Sequence, residues 1–191
     1  LIVDNTLATP FLCRPIEQGA TLVVHSLTKY LTGNGTVMGG AVVDSGKFDW
    51  SASGKFPSLS DPEPAYHGLR FHETFGPAAF TFHSIAIGLR DLGMTMNPQA
   101  AHYVLMGIET LGLRMERHVA NARRVAEWLE ADPRVAEVTY AGLQGSPWHE
   151  RVQRLYPKGA GALFTIRLKG GYDACVAAIG RLQMISHVAN L

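Results

Sequence analysis

The sequence has few cysteines, and it lacks both a strong net charge and a long apolar run. Its two cysteines, Cys13 and Cys175, lie far apart, so they indicate neither a disulfide framework nor a zinc ribbon. Lys and Arg number 17 and Asp and Glu 16, for a formal charge of +1, which gives no bias toward nucleic acid or acidic membranes. No apolar run approaches the roughly 18 residues of a membrane span. We therefore expect a cytoplasmic protein with no nucleic-acid or membrane partner.

The composition predicts a folded protein. Of the 191 residues, 47% are hydrophobic and 17% charged, enough apolar surface for one large core or two smaller ones. The chain starts on the apolar run 1–3 without Met or the features of a secretory signal, and it stops on a partly apolar stretch. We expect both ends to be truncation points.

Short apolar runs with breaks between them dominate the first third of the chain. Residues 1–3, 22–25 and 41–43 have the pattern of buried strands, and 14–19, with Pro15 at a helix-start position, is a short crossover. This alternation predicts an α/β protein with a parallel sheet. Residues 44–76 show no periodicity, which is typical of a functional or mobile segment.

The remainder of the chain predicts helices and then a second unit. The stretch 77–92 is apolar on nearly every face, which predicts a well-buried helix. A helix starts at Asn97 and Pro98, and its pattern breaks at Gly112. An apolar stripe then runs from Met115 to Leu129 along a long helix. We expect 1–96 to be the large domain, 97–131 the connecting helix, and 132–191 a small α+β domain.

The most informative string is 22–35, where a strand is followed by Ser26, Thr28, Lys29 and a glycine-containing loop. Hydroxyls and loop amides at a strand's carboxyl end suit a phosphate, and a lysine beside them can form an imine with an aldehyde. Asp4 ends the first strand, so in a parallel sheet Asp4 and Lys29 face one crevice. A carboxylate there can keep a pyridine nitrogen protonated. Together these residues predict a site for pyridoxal 5'-phosphate.

Each of these residues also has a simpler interpretation. Lys29 fits an ordinary solvated side chain, Asp4 an Asx turn, and Ser26 and Thr28 local caps. Residues 26–29 match the Ser-x-x-Lys nucleophile motif of penicillin-binding enzymes, but the sequence has no Ser-Asp-Asn or Lys-Thr-Gly to complete it. The eight histidines show no ligand spacing, so no metal site is predicted.

Two strings carry a resemblance to a known family. Residues 24–40, and 3–6 together with Thr9 and Pro10, resemble the Cys/Met-metabolism family of pyridoxal-phosphate enzymes. That resemblance implies the aspartate-aminotransferase-like fold (fold type I), here as a partial large domain and a partial C-terminal small domain. The long segment 44–76 makes the chain look most like the O-acetylhomoserine sulfhydrylases of the family. Further strings that look like this subgroup are 107–111, 113–118 and Ser186–Asn190.

The resemblance implies a role for each candidate residue. Lys29 would bind the cofactor covalently and move protons, Asp4 would pair with the pyridinium nitrogen, and Ser26 and Thr28 would hold the phosphate. Relatives often have Gly-Gly-His where this chain has Gly33 and Asn34. Their upstream Gly-Met turn, stacking tyrosine and downstream arginine have no counterpart in residues 1–191, which implies a fragment.

The implied reaction is a γ-replacement that turns O-acetylhomoserine and sulfide into homocysteine and acetate in methionine biosynthesis. The resemblance also implies a homotetramer built from active dimers. Two alternatives remain open from the sequence. One is cystathionine γ-synthase, γ-lyase or methionine γ-lyase chemistry on the same scaffold, and the other is a non-catalytic piece that binds a partner.

Overall fold

A computed structural model describes residues 1–188. Residues 189–191, which end the predicted small domain and include the close of the string Ser186–Asn190, lie outside the described residues. Within residues 1–188, five strands form two sheets, and their bounds are β1 Ile2–Asp4, β2 Leu22–Ser26, β3 Gly40–Asp44, β4 Val135–Thr139 and β5 Thr165–Leu168. The α-helices are α1 Thr9–Leu12, α2 Pro57–Ser60, α3 Phe71–Phe75, α4 Ala79–His83, α5 Pro98–Glu109, α6 Leu111–Glu130, α7 His149–Leu155 and α8 Gly171–Ile179. Short 3-10 helices span Pro15–Gln18, Pro64–Tyr66 and Gly76–Ala78, and π-helical segments span Leu27–Leu31 and Ser84–Asp91.

The first sheet has the order β1-β2-β3. Strands β1 and β2 are parallel, with Asp4 opposite Val24, so the predicted parallel pairing is confirmed for this pair. Strand β3 is antiparallel to β2, and the expectation of an all-parallel sheet is wrong there. The segment 27–39 reverses the chain direction between β2 and β3. The Leu27 N–H closes this segment by donating to the Gly39 carbonyl at 2.9 Å, and two strands connected in this way run antiparallel.

The expectation of a well-buried helix over 77–92 is also wrong. The segment is helical in pieces, but Ala79 is its one fully buried residue, and Ile85, Leu89 and Leu92 are 48%, 45% and 68% exposed. An apolar pattern predicts that a helix face packs against other residues, but it does not specify which residues those are.

The aperiodic segment 44–76 folds around aromatic side chains. Trp50 and Phe71 are 6% and 2% exposed, and they form one core with Leu22, Leu59 and Ala79. Trp50 stacks on Phe80, with ring centroids 5.4 Å apart. The aromatic residues that broke the sequence periodicity therefore build a core of their own.

The second core joins the segment Leu27–Leu31, called the lysine turn below, to α5 and α6. It is formed by buried side chains of all three elements: Leu27, Tyr30, Leu31, Val104, Leu111 and Met115, together with Leu12 of α1. The predicted connecting helix 97–131 is two helices, because the backbone at Thr110 is non-helical, with φ −102° and ψ 3°. This interruption lies two residues before the predicted break at Gly112.

The second sheet pairs β4 and β5 antiparallel. Buried Ala122 and Ala126 of α6 pack on Tyr140 and Leu143, which attaches this sheet to the helix. No helix in the described part of the chain is long and apolar enough to cross a membrane.

Candidate functional site

A cavity of about 780 Å³ lies at the carboxyl ends of β1 and β2. One wall comes from the first sheet and includes Asp4, Thr6, Ser26 and Lys29. The opposite wall comes from the second unit, and its residues are Ala141, Val152, Tyr156, Ala160, Gly161, Ala162 and Leu163. Parallel pairing puts the ends of β1 and β2 at one edge of the sheet, so the predicted meeting of Asp4 and Lys29 in one crevice is found.

Asp4 is an ionised carboxylate held by Thr6. The Thr6 N–H donates to Asp4 Oδ1 at 2.9 Å. Hydrogen bonds from the side chain and backbone of Thr6 lower the pKa of Asp4 below its ordinary value, and the nearby His25 lowers it further. A carboxylate that stays charged at neutral pH can accept a hydrogen bond from a protonated ring nitrogen.

Lys29 lies in the middle of the lysine turn and is half-buried. Its backbone, at φ −86° and ψ −128°, interrupts the helical geometry of the turn. The turn is closed behind it by the Gly33 N–H, which donates to the Lys29 carbonyl at 2.8 Å, and by the Thr32 N–H, which donates to the Leu27 carbonyl at 3.0 Å. This irregular backbone places Lys29 among the residues that line the cavity.

The two predicted phosphate ligands have different positions. Ser26 lines the cavity, and its N–H donates to Thr6 Oγ1 at 2.8 Å. Thr28 is not among the described lining residues, and its Oγ1 accepts a hydrogen bond from the Gly39 N–H at 3.1 Å. The structure therefore brings together Asp4, Ser26 and Lys29, and it turns the Thr28 hydroxyl toward the loop that leads into β3.

Three residues near the site were missed in the sequence. Thr6 connects the two strand tips, because it bonds both Asp4 and Ser26. His25 is 5% exposed, and this burial lowers its pKa while the charge of Asp4 opposes the shift. Tyr156 enters the cavity from the second unit, and its burial raises its pKa. The Asp-x-Thr spacing was a signal for Thr6, whereas Tyr156 had none.

The described residues contain no group of three or more His, Cys, Asp or Glu side chains placed to hold a metal ion. One of the histidines lies beside a carboxylate, since His72 Nε2 is 3.4 Å from Asp49 Oδ1.

The residues on the first wall fit pyridoxal phosphate. The cavity has room for a ring with its phosphate and for a small amino acid, an ionised carboxylate stands at one strand tip, and an amine and a hydroxyl follow the next strand. A carboxylate can pair with the protonated pyridine nitrogen, an amine can form an imine with the aldehyde, and a hydroxyl can donate to the phosphate.

Comparisons with known proteins agree with this fit. O-acetyl-L-homoserine sulfhydrylase 1 of Thermus thermophilus is 49% identical over 192 aligned positions, covering 100% of this chain and 45% of that protein. A Campylobacter jejuni protein described as an O-acetylhomoserine (thiol)-lyase, whose structure holds a pyridoxyl-lysine monophosphate, superposes with a TM-score of 0.91 at 34% identity, covering 99% of this chain and 47% of its own. Cystathionine γ-synthase of Xanthomonas oryzae superposes with a TM-score of 0.75 at 31% identity, covering 100% and 41%.

These matches confirm the predicted fold type and show that the chain spans less than half the length of these relatives. The family described as Cys/Met metabolism PLP-dependent enzymes matches residues 1–191. The chain therefore belongs to the Cys/Met metabolism family of pyridoxal-phosphate-dependent enzymes.

Proposed function

We propose that the full-length protein catalyses a γ-replacement that converts O-acetylhomoserine and sulfide into homocysteine and acetate. The observation that carries the proposal is the cavity lined by Asp4, Ser26 and Lys29, which lie at or just after the ends of two adjacent parallel strands. The substrate class follows from the relatives, because sulfhydrylases match along the whole chain.

Asp4 would hold the proton on the pyridine nitrogen of the cofactor. Its lowered pKa keeps it charged, and Thr6 fixes the carboxylate through Oδ1. The cofactor, when bound, supplies an electron sink for charge that develops at the substrate Cα.

Lys29 would bind the cofactor covalently and, once displaced by the substrate amine, move the proton at Cα as a general base. The Ser26 hydroxyl would hold the phosphate. We keep Thr28 as a second phosphate ligand. Its O–H, which lies 3.5 Å from the Gly39 carbonyl, would turn to the phosphate, while its oxygen can still accept from the Gly39 N–H. The apolar residues of the opposite wall, Val152 and Leu163 among them, would exclude water from the reacting atoms.

The segment 44–76 supports a sulfhydrylase over a cystathionine synthase. The segment is folded into the aromatic core around Trp50 and Phe71, which also contains Leu22 of β2. The superposition is also closer for the protein described as an O-acetylhomoserine (thiol)-lyase than for the cystathionine γ-synthase.

The proposal extends to location and assembly. A cytoplasmic protein is consistent with Cys13 and Cys175, which are both free thiols. A homotetramer built from active dimers is consistent with the exposed apolar side chains on the segment 79–92.

A substrate panel tests the reaction. The full-length protein with pyridoxal phosphate is given O-acetylhomoserine with sulfide, O-succinylhomoserine with cysteine, or methionine alone, and the products are measured. We expect homocysteine and acetate from the first pair at the highest kcat/KM. Preference for the second pair would make the protein a cystathionine γ-synthase, methanethiol from the third would make it a lyase, and turnover of none of the three would favour the non-catalytic alternative.

A further inference from the structure

Arg114 of α6 is a half-buried cation whose hydrogen-bond partners are all neutral. Its Nη1 donates to the Tyr30 carbonyl at 2.8 Å, its Nη2 to the Gly107 carbonyl at 2.7 Å, and its Nε to Thr110 Oγ1 at 3.1 Å. Among residues 1–188, no carboxylate forms an ion pair with it. Burial lowers the pKa of Arg114. Because this partly buried guanidinium bonds only neutral groups, its planar set of N–H donors is suited to fixing the positions of the carbonyls that it binds.

One of these carbonyls belongs to the lysine turn. Tyr30, whose carbonyl accepts from Nη1, is the residue directly after Lys29. The guanidinium also lies against Gly33, because a Cβ there would collide with the Nη1, Cζ and Nη2 atoms of Arg114. Arg114 thus contacts the backbone on both sides of the half-turn that follows Lys29.

The contact reaches the turn from a rigid support. Arg114 is in the first turn of α6 and bonds Gly107 in the last turn of α5, so it fixes the junction of the two helices. Gly107 itself faces the Leu31 and Thr32 carbonyls so closely that it has no room for a Cβ. The junction and the lysine turn therefore form one packed block.

The lysine turn needs such support because it is not a regular helix. The backbone at Lys29 is non-helical, so the regular pattern of helical hydrogen bonds does not fix the direction of its side chain. The other end of the turn is already tied to Gly39. Arg114 supplies the matching tie on the side of Tyr30.

We propose that Arg114 is a positioning residue that holds the backbone after Lys29, so that the Lys29 amine is presented to the cofactor aldehyde in the cavity. The claim about the amine rests on the proposed function. The claim about the backbone does not, since it concerns only the packing of α6 on the turn. No bond forms or breaks at Arg114, and it is not among the described residues that line the cavity.

Two measurements on the full-length protein test the proposal. The first is hydrogen exchange of the Thr32 and Gly33 amides in the cofactor-free protein. The second is the rate at which added pyridoxal phosphate becomes covalently attached, followed by borohydride reduction at timed intervals and mass measurement. The variants are Arg114→Ala, Arg114→Lys and, as a control of equal charge change on the exposed face of α6, Arg117→Ala.

For Arg114→Ala we expect exchange at both amides to be roughly tenfold faster and attachment roughly tenfold slower, the effect of losing charge-assisted hydrogen bonds. Added guanidinium at millimolar concentration should restore part of the attachment rate. Arg114→Lys, which keeps the charge but reaches fewer carbonyls, should lie between, and Arg117→Ala should match the parent protein.

Unchanged exchange and attachment in Arg114→Ala would overturn the proposal. If Arg114→Ala does not fold, parent-like values in Arg114→Lys would overturn it, because that variant loses the fork geometry. Equal losses in Arg117→Ala would also overturn it, since they would report net charge alone. A parent protein that attaches no pyridoxal phosphate would refute the proposed function, and the exchange measurement would then still decide the backbone claim.

Discussion

Different interactions stabilise each of the two walls of the cavity. The wall that carries Asp4 and Lys29 contains buried polar side chains with internal partners: the Asn5 amide donates to the Cys13 carbonyl at 2.9 Å, and Thr32 Oγ1 donates to the Leu27 carbonyl at 2.6 Å. The wall from the second unit is supported by a small core and by exposed ion pairs such as Arg167 with Glu137.

This difference indicates which wall tolerates few alternative side-chain arrangements. Buried hydrogen bonds allow few alternative arrangements, whereas exposed ion pairs contribute little to stability. Substitutions on the first wall should therefore change function or cost much stability, and those on the second should have mild effects.

The largest effect is expected from Lys29→Ala. It removes the amine that binds the cofactor and moves the proton at Cα, so turnover of O-acetylhomoserine and sulfide should fall by at least about 10²- to 10⁴-fold. Lys47→Ala, at an exposed lysine outside the cavity, serves as the control. Near-normal homocysteine formation by the Lys29 variant would remove this lysine from the reaction.

Asp4→Asn should lower kcat by about 10²-fold, because a neutral amide no longer holds the proton on the ring nitrogen. The lowered pKa of Asp4 keeps its carboxylate charged at neutral and mildly acidic pH, so no acidic limb from Asp4 should appear in the parent pH profile near pH 6. Asp61→Asn, at an exposed carboxylate, is the control. A parent profile that titrates with Asp4 near neutral pH would contradict the assignment.

Gly107→Ala should lower the free energy of unfolding by about 1–3 kcal/mol, the usual cost of overpacking. Its Cβ would collide with the backbone carbonyls of Leu31 and Thr32, and backbone cannot move aside as a flexible side chain does. Gly145→Ala, where a Cβ meets nothing within 4 Å, should be nearly neutral. Denaturant unfolding measures both, and equal stability of the two variants would show that α5 can yield at the lysine turn.

Tyr140→Phe should cost about 0.5–1.5 kcal/mol of unfolding free energy. The Tyr140 hydroxyl donates to the Gly161 carbonyl at 2.9 Å, and Gly161 lines the second wall of the cavity. The ring and its packing on Phe164 are kept, so kcat should change less than in Asp4→Asn. A loss of kcat as large as that of the Asp4 variant would end the distinction between the two walls.

The smallest effect is expected from Asp132→Asn in the turn before β4. Hydrogen bonds from Arg134 lower the pKa of Asp132 to about 2, so the stabilisation from its charge is present above its unfolded pKa of about 4 and is lost as the pH falls toward 2. The unfolding temperature of the variant should be slightly lower than that of the parent at pH 7, and the two should converge at the low end. A difference that grows as the pH falls would have the wrong sign.

Local sequence patterns were sufficient to bring Asp4 and Lys29 together, because that part of the geometry depends on two neighbouring strands. The apolar runs located β1 and β2, and parallel pairing then brought Asp4 and Lys29 to one edge. The direction of β3 could not be predicted in this way, because it depends on the hydrogen bond that closes the loop between Leu27 and Gly39.

The contacts that support the site were beyond local patterns. Arg114 and Tyr30 are 84 positions apart, and nothing in the pattern of α6 distinguishes Arg114 from the exposed Arg117 on the same helix. Tyr156 likewise reaches the cavity only because the second unit packs against the first. The segment 77–92 was predicted to be buried because it is apolar on nearly every face, although burial depends on a neighbour that its own pattern does not specify.

Lys29 is proposed to present its amine to an aldehyde cofactor beside Asp4. Incubation of the full-length protein with pyridoxal phosphate, followed by borohydride reduction and peptide mapping of the added mass, identifies the lysine that reacts. We expect one pyridoxyl phosphate group per chain, on Lys29. A label on Lys47, Lys55 or another lysine, or no label at all, would contradict it.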